Sequence, residues 1–566
     1  MSGCGDEHAP GKCSVTFTSQ SRHAQLIENG ARTSRWKSNY TVLTKSIGLC
    51  VGQAYQAMSS PAFSTSWVPR VPYARSNQPA PLDHKNSFAP KLVSDSLPIV
   101  GSLNFFTQRW DFFQSAASHS PTGQFSFYAG RYPVIGLSGD EGRKVFFESK
   151  VLNFTEGYGA LIGGSPKTEA TAMDKPESAN EFADYFTKRL NPLLKRGQFQ
   201  KHVHTSLQKL ADDPTGMANP FDSIYRIVYQ ITMRIVACNE IASDPKMLAT
   251  TLKSFETLEA AVSPTFIMFP SLPTKAKLVR AWEGARLYKI FQNIIDDRKK
   301  TGRRETDALQ SLMDQGDSTL QIITFVLGAL FAGQLNSGIN AAWIFVYLAT
   351  SPTWLSRVRT EILTVADKYT PRNNNNSNTN TTPLAQRLHS IPLEAWESEF
   401  PTIDLCLREC IRCQSTGAGF RKNTSDNAIP IPGTGNEVIP PGAFVAYHLG
   451  DIHFNPAIYP DPSRWDPGRY LPDRAEDQRG KHYYVGWGSG RHPCPGMKFA
   501  KLEVTIITAF WAAMFEWENV DAGGRRKVEG EGRPELKTNW NAHTASKPVG
   551  EAWVRFWTRE GEKVGL

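Results

Sequence analysis

The sequence predicts a mainly α-helical protein with small β-sheets, and three observations carry that prediction. Helical patterns dominate from about Pro90 to about Tyr369. One apolar stretch, Thr319 to Ala349, is too long for a strand, and the β-like pieces are short and bounded by turn residues. With 566 residues, 40% hydrophobic and 21% charged, the chain can bury a large core, which excludes disorder as its general state.

In chain order, residues 1–89 are rich in Ser, Gln, Asn and Ala, lack sustained periodicity, and read as a poorly ordered N-terminal extension. A membrane anchor needs about 20 mostly apolar residues. The best candidate, Val42 to Met58, is interrupted by Lys45, Gln53 and Gln56 and is not read as a span. The folded core is expected over 90–566, entered through Pro90, Pro98 and Gly101 before Phe105 and Phe106. A β-like piece follows at Phe125 to Leu137, with Gly130 and Pro133 inside it. The Thr319–Ala349 helix ends at Ser351-Pro352, and its uniform apolarity predicts burial at the molecular centre. Lipid would penalise Gln334, Asn336 and Asn340 in its middle. Asn373 to Thr382, a polar low-complexity run, reads as a surface loop, and a second β region spans Phe420 to Tyr447.

The net charge of +9 is spread along the chain without a long Lys/Arg block, so no nucleic-acid partner is expected, and a basic face for an acidic protein partner fits. Eight scattered cysteines without paired CxxC knuckles point to a reduced, intracellular compartment. Cys406, Cys410 and Cys413 share one helical face. With no fourth ligand nearby they read as small apolar core residues in preference to a metal site.

The strongest chemical signal is Trp487-Gly488-Ser489-Gly490-Arg491-His492-Pro493-Cys494-Pro495-Gly496, followed by a helical run from Met497 to Glu503. Glycines at 488, 490 and 496 allow tight turns and close approach to a flat cofactor. Amides at the start of the next helix favour an anionic sulfur, so Cys494 is expected to stay deprotonated. A thiolate on iron favours O–O cleavage. A structural cysteine in a Gly/Pro loop is the competing reading, and the joint spacing of the aromatic, both glycines, His492, Cys494 and Gly496 outweighs it.

These residues resemble the haem-binding loop of the cytochrome P450 superfamily: an aromatic, Gly-x-Gly, Arg or His, then Cys-x-Gly. Trp487 stands where phenylalanine is commonest, as in the branch of sterol 7α-hydroxylase and prostacyclin synthase. The resemblance implies the P450 fold, with haem b (iron protoporphyrin IX) between the long central helix and the cysteine loop. It makes Cys494 the axial iron ligand, with Trp487 and Gly488 beside the cofactor. It assigns Arg421 and His492 to the haem propionates as cationic donors. Glu409 and Arg412, at i and i+3 on a helix, together with Arg469 in the segment Tyr459 to Tyr470, become a buried ionic triad bracing the loop. The Trp-x-x-x-Arg pair that serves a propionate from an earlier helix is not located.

On the central helix the family commonly carries an acid and a threonine that deliver protons to dioxygen. Here Leu335 replaces the acid and Asn336 the threonine, so Asn336, Ser337 and Gly333 are the candidate catalytic residues, Gly333 by permitting the helix to widen. The implied function is a monooxygenase hydroxylating or oxidising a bulky hydrophobic substrate of the sterol, terpenoid or polyketide class, with secondary metabolism as a setting. Leu335 and Asn336 keep open a peroxide or endoperoxide isomerase or dehydratase of the prostacyclin synthase type, and a non-catalytic haem-binding protein is a third reading. By resemblance the partner is NADPH-cytochrome P450 reductase, docking on Arg491, Lys498 and Lys501. The place is the cytosolic face of the endoplasmic reticulum membrane, with membrane association, and the state is a monomer.

Overall fold

The computed structural model describes residues 88–97, 100–161, 187–190, 192–193, 199–269, 272–371, 382–414, 416–527, 530–543 and 545–559. The expected extension up to residue 87, with its candidate anchor, and residues 373–381 of the polar insert lie outside the described residues.

A seven-stranded sheet is built from β1 (Ser96–Leu97), β2 (Gly101–Ser102), β3 (Phe125–Ala129), β4 (Tyr132–Leu137), β5 (Leu152–Asn153), β6 (Ala418–Asn423) and β7 (Phe444–His448), in the order β1-β2-β3-β4-β7-β6-β5. The β-like piece expected at Phe125–Leu137 is a hairpin of β3 and β4, with Gly130 at φ +60° in the turn. β7 lies parallel to β4, Val445 opposite Ile135, and antiparallel to β6, Val445 opposite Arg421. Because strand side chains alternate, Ala418 and Phe420 of β6 enter one aromatic cluster, whereas Arg421 faces Phe146.

Three short helices cover this sheet: α1 (Arg109–Ser118), α2 (Gly139–Glu148) and α3 (Phe154–Leu161). The larger core is helical, formed by α4 (Pro220–Val236), α5 (Thr319–Ala349), α6 (Pro401–Gln414) and α7 (Met497–Met514), with α5 packed on each of the other three. A reciprocal capping box starts α5: Gln321 N donates to Ser318 Oγ at 3.3 Å and Ser318 N to Gln321 Oε1 at 2.8 Å. The helix is long and apolar enough to cross a membrane, but most of its second half is buried against protein. Gln334 Nε2 donates there to the Tyr225 carbonyl of α4 at 2.7 Å, while its Oε1 has no partner. Phe345 of α5 stacks on Trp511 of α7, ring centroids 4.7 Å apart. Cys406, Cys410 and Cys413 of α6 are buried in this same core.

Candidate active site

The cysteine loop doubles back as a short hairpin in which Gly488–Ser489 pairs with His492–Pro493. Cys494 N donates to the Trp487 carbonyl at 2.7 Å, and Gly488 N to the Val485 carbonyl at 3.0 Å. Gly488 and Gly490 have φ of +73° and +61°, and a Cβ on them would collide with the carbonyl oxygens of His492 and Phe147. Gly496 differs from expectation: its φ of −95° is open to any residue. Trp487 is partly buried and packs against the helical core.

The backbone donors expected at the Cys494 sulfur are present, from Gly496 and Met497. Burial outweighs them and pushes the thiol up from its ordinary value. The expectation that the loop alone keeps Cys494 deprotonated is therefore corrected: without a further positive partner, burial favours the neutral thiol.

Glu409, Arg412 and Arg469 meet with essentially no solvent exposure. Arg412 Nε and Nη2 donate to Glu409 Oε2 and Oε1 at 2.8 and 2.7 Å, and Arg469 Nε donates to Glu409 Oε1 at 3.1 Å. Three further residues join the network in roles the sequence did not assign. Tyr470 Oη donates to Glu409 Oε2 at 2.8 Å, Glu476 Oε2 accepts from Arg469 Nη1 at 3.0 Å, and the His453 carbonyl accepts from Arg412 Nη1 at 2.7 Å. The ring of His453 in turn accepts from Val485 N at 3.2 Å, which ties the charges to the start of the cysteine loop. A buried histidine 41 residues from Arg412 leaves no local pattern. The Arg469-Tyr470 dipeptide was the one legible signal.

Arg421 is buried, its Nη1 donates to the Phe420 carbonyl at 2.7 Å, and its Nε has no partner. Burial lowers its pKa to about 10, so it remains a cation. His492 stacks on Phe154, 5.4 Å between centroids. Burial, then Arg421 and Arg491, push its imidazole down to about 4, so His492 offers an uncharged donor where a cationic one was expected.

On α5, Ala332 and Asn336 are exposed one turn apart, and Gln334, Ser337 and Asn340 are buried. Asn336 Nδ2 donates to the Ala332 carbonyl at 3.0 Å, and Asn340 Nδ2 to the Asn336 carbonyl at 2.8 Å. Ser337, about 100° further round the helix, is buried where Asn336 is exposed, so the two side chains do not share one environment. The helix runs as an unbroken α-helix through Gly333, without widening.

Comparison with known proteins decides what this constellation is. The sequence model of the cytochrome P450 family matches residues 91–537. The chain belongs to the cytochrome P450 family. It is 38% identical over 474 residues to the cytochrome P450 monooxygenase AacuE of Aspergillus aculeatus, covering 82% of this chain and 92% of that one. It is 36% identical over 462 residues to the cytochrome P450 monooxygenase nsrP of Aspergillus novofumigatus, covering 79% and 86%. Among solved structures, the retinoic acid-bound cyanobacterial CYP120A1 shares the fold with a TM-score of 0.60 at 19% identity, over 83% of this chain and 99% of that one.

This P450 is therefore a monooxygenase with haem b as cofactor. The residues present fit that group. Arg421 holds a buried, unpartnered guanidinium nitrogen suited to a propionate, Cys494 offers sulfur with two backbone donors, and the side of α5 bearing Ala332 and Asn336 is open on an otherwise buried helix. Of the residues expected on a docking face, Lys498 pairs with Glu397 at 3.0 Å and Lys501 with Asp404 at 2.7 Å. Arg491 is exposed and makes no ion pair among the described residues.

Proposed function

We propose that this monooxygenase oxidises a bulky hydrophobic substrate of the sterol, terpenoid or polyketide class within secondary metabolism, and that 90–566 is its catalytic domain. The observation that carries this is the make-up of the cofactor's surroundings: α5 is apolar apart from a few amides and hydroxyls, and Phe154, Tyr158 and Phe420 form a continuous aromatic contact beside Arg421 and His492. Such walls bind by area and exclude water.

Cys494 is the axial iron ligand in this reading, Trp487 and Gly488 shape the loop around it, and Glu409, Arg412 and Arg469 hold the loop in place. Arg421 carries the positive charge for the haem propionates and His492 an uncharged hydrogen bond. When bound, haem b supplies dioxygen activation and transfer of one oxygen atom to the substrate. Asn336 stands where a proton must be delivered. An amide is a poor acid, so its part is to hold ordered water against the helix with a carboxamide that the Ala332 carbonyl anchors. Gly333 keeps side-chain atoms away from that face, and buried Ser337 has a packing role.

NADPH-cytochrome P450 reductase supplies electrons, with Arg491 as a contact. Attachment to the cytosolic face of the endoplasmic reticulum membrane is supported by Leu272, Leu278 and Trp282, all more than half exposed, the last two one turn apart on the helix Lys275–Thr301.

The test is the carbon monoxide difference spectrum of the reduced protein beside a Cys494→Ala variant. A strongly red-shifted Soret band that disappears in the variant supports the ligand assignment. Turnover with NADPH and reductase then supports oxygen insertion, whereas activity with an endoperoxide and no electron donor would favour isomerisation. Haem-replete protein without the shifted band refutes the assignment of Cys494.

A further inference from the structure

Seven arginines are almost fully buried among the described residues: Arg109, Arg143, Arg298, Arg387, Arg412, Arg421 and Arg469. Five of them pair with carboxylates: Arg143 with Asp140, Arg298 with Asp307 and Glu240, Arg387 with Asp367, and Arg412 and Arg469 with Glu409. Arg421 stands where a haem propionate would meet it. Arg109 is the remaining one, 4% exposed, and no carboxylate pairs with it among the described residues.

What surrounds Arg109 is aromatic. Its Nε donates to the Phe105 carbonyl at 3.2 Å, and its guanidinium lies 4.5 and 5.5 Å from the ring centroids of Phe105 and Phe420. Ring faces and one carbonyl return only part of the hydration that a buried guanidinium gives up. Burial accordingly lowers its pKa to about 9, still charged at neutral pH. Burial first, and the field of Arg109 second, push His448 and His543 down to about 3 and about 4, so both stay uncharged and neither adds charge beside it.

The position of this cation relative to the cysteine loop is defined by a row of rings. His492 stacks on Phe154 at 5.4 Å, Phe154 meets Tyr158 at 4.4 Å, Tyr158 meets Phe420 at 5.8 Å, and Phe420 lies under the Arg109 guanidinium. Tyr158 feels both Arg421 at one end of this row and Arg109 at the other. An uncompensated guanidinium at the far end of an aromatic wall has the chemistry to fix an anion in two parallel, charge-assisted hydrogen bonds.

We propose that Arg109 is a specificity-determining residue that receives a carboxylate carried at one end of an otherwise apolar substrate, so that the substrate's body lies along the row Phe420, Tyr158 and Phe154 toward the cofactor. This rests on the hydrophobic-substrate reading given above and adds a charged end to it.

The test is equilibrium binding to the holoenzyme, read from the Soret spin-state change on titration with 1-pyrenebutyric acid and, separately, its methyl ester. The parent should prefer the acid. Arg109→Met should weaken the acid by roughly thirtyfold while leaving the ester unchanged, and Arg109→Lys should keep part of the preference. Equal weakening of acid and ester would assign Arg109 a purely structural role and overturn the proposal, as would an unchanged acid affinity. Ester binding without acid preference in the parent overturns the role of Arg109 alone. A parent that responds to neither probe overturns the hydrophobic-substrate reading together with it. Should Arg109→Met fail to take up haem, Arg109→Lys decides, a reduced preference supporting the proposal and no preference refuting it.

Discussion

The guanidinium of Arg412 grips both oxygens of Glu409, Nη2 on Oε1 at 2.7 Å and Nε on Oε2 at 2.8 Å, with both side chains wholly buried. A carboxylate out of water is tolerable only because every lone pair is used, here also by Arg469, Tyr470 and the Asp466 amide. Glu409→Ala leaves two buried arginines short of their counter-charge and is expected to cost about 3–5 kcal/mol. Since His453 relays the network to Val485, haem retention should fall with stability. The haem-to-protein ratio and the thermal midpoint of the variant check both, and a variant that keeps full haem content would uncouple the network from the loop.

Gly488 sits in the left-handed region, with the His492 carbonyl where a Cβ would be. Gly488→Ala should cost about 1–2 kcal/mol from the backbone alone, and more from displacing the strand partner. The same change at Gly496, whose φ is ordinary and whose Cβ position meets nothing within 4 Å, should be far milder. Comparing denaturation midpoints of the two variants tests the contrast.

Glu503 of α7 is buried with a single donor, Thr232 Oγ1 at 3.1 Å, and its other oxygen has no partner. Burial pushes its carboxyl from the ordinary 4.5 up to about 8. The folded state therefore keeps a proton that the unfolded chain releases, so this group's contribution to stability is undiminished below 4.5 and falls as pH rises toward about 8. Glu503→Gln should flatten that fall, by a few kcal/mol at about 1.4 per pKa unit. Urea unfolding at about pH 5 and about pH 8 measures the slope, and identical slopes in parent and variant would show that Glu503 ionises normally.

Asn336, proposed above to hold water for proton delivery, is anchored by its bond to the Ala332 carbonyl. Asn336→Ala should lower product formed per NADPH consumed by about tenfold or more, with the lost electrons appearing as peroxide. Asn336→Thr should retain coupling. Product and peroxide quantified against NADPH oxidation separate these outcomes.

Cys406, Cys410 and Cys413 are buried, and their thiols are pushed up, first of all by that burial. They should resist a thiol reagent such as Ellman's in the native protein and react once it is unfolded in guanidinium. Rapid native labelling of these three would contradict their place in the core.

The sequence alone determined the features whose cause is local. Thr319–Ala349 was legible as a buried helix because its long apolar run ends at a Ser-Pro stop and carries Gln334, Asn336 and Asn340 where lipid would penalise them; the Ser318–Gln321 cap came from the structure. The β character of β3–β4 was legible from turn residues between short apolar runs. The cysteine loop was legible because several residue types with special backbone or metal chemistry fall at fixed spacing. Tertiary structure decided what depends on segments far apart in the chain. The placing of His453, Tyr470 and Glu476 around Glu409 and Arg412, the exposure of Asn336 beside a buried Ser337, the pairing of Lys498 and Lys501 with acids, and the isolation of Arg109 among rings are all of this kind. Desolvation and charge pairing are set by what lies within a few ångströms in space, and no period or spacing along the chain encodes that neighbourhood. The same reason accounts for Cys494: backbone amides favouring its thiolate could be read from the motif, but the burial that outweighs them could not.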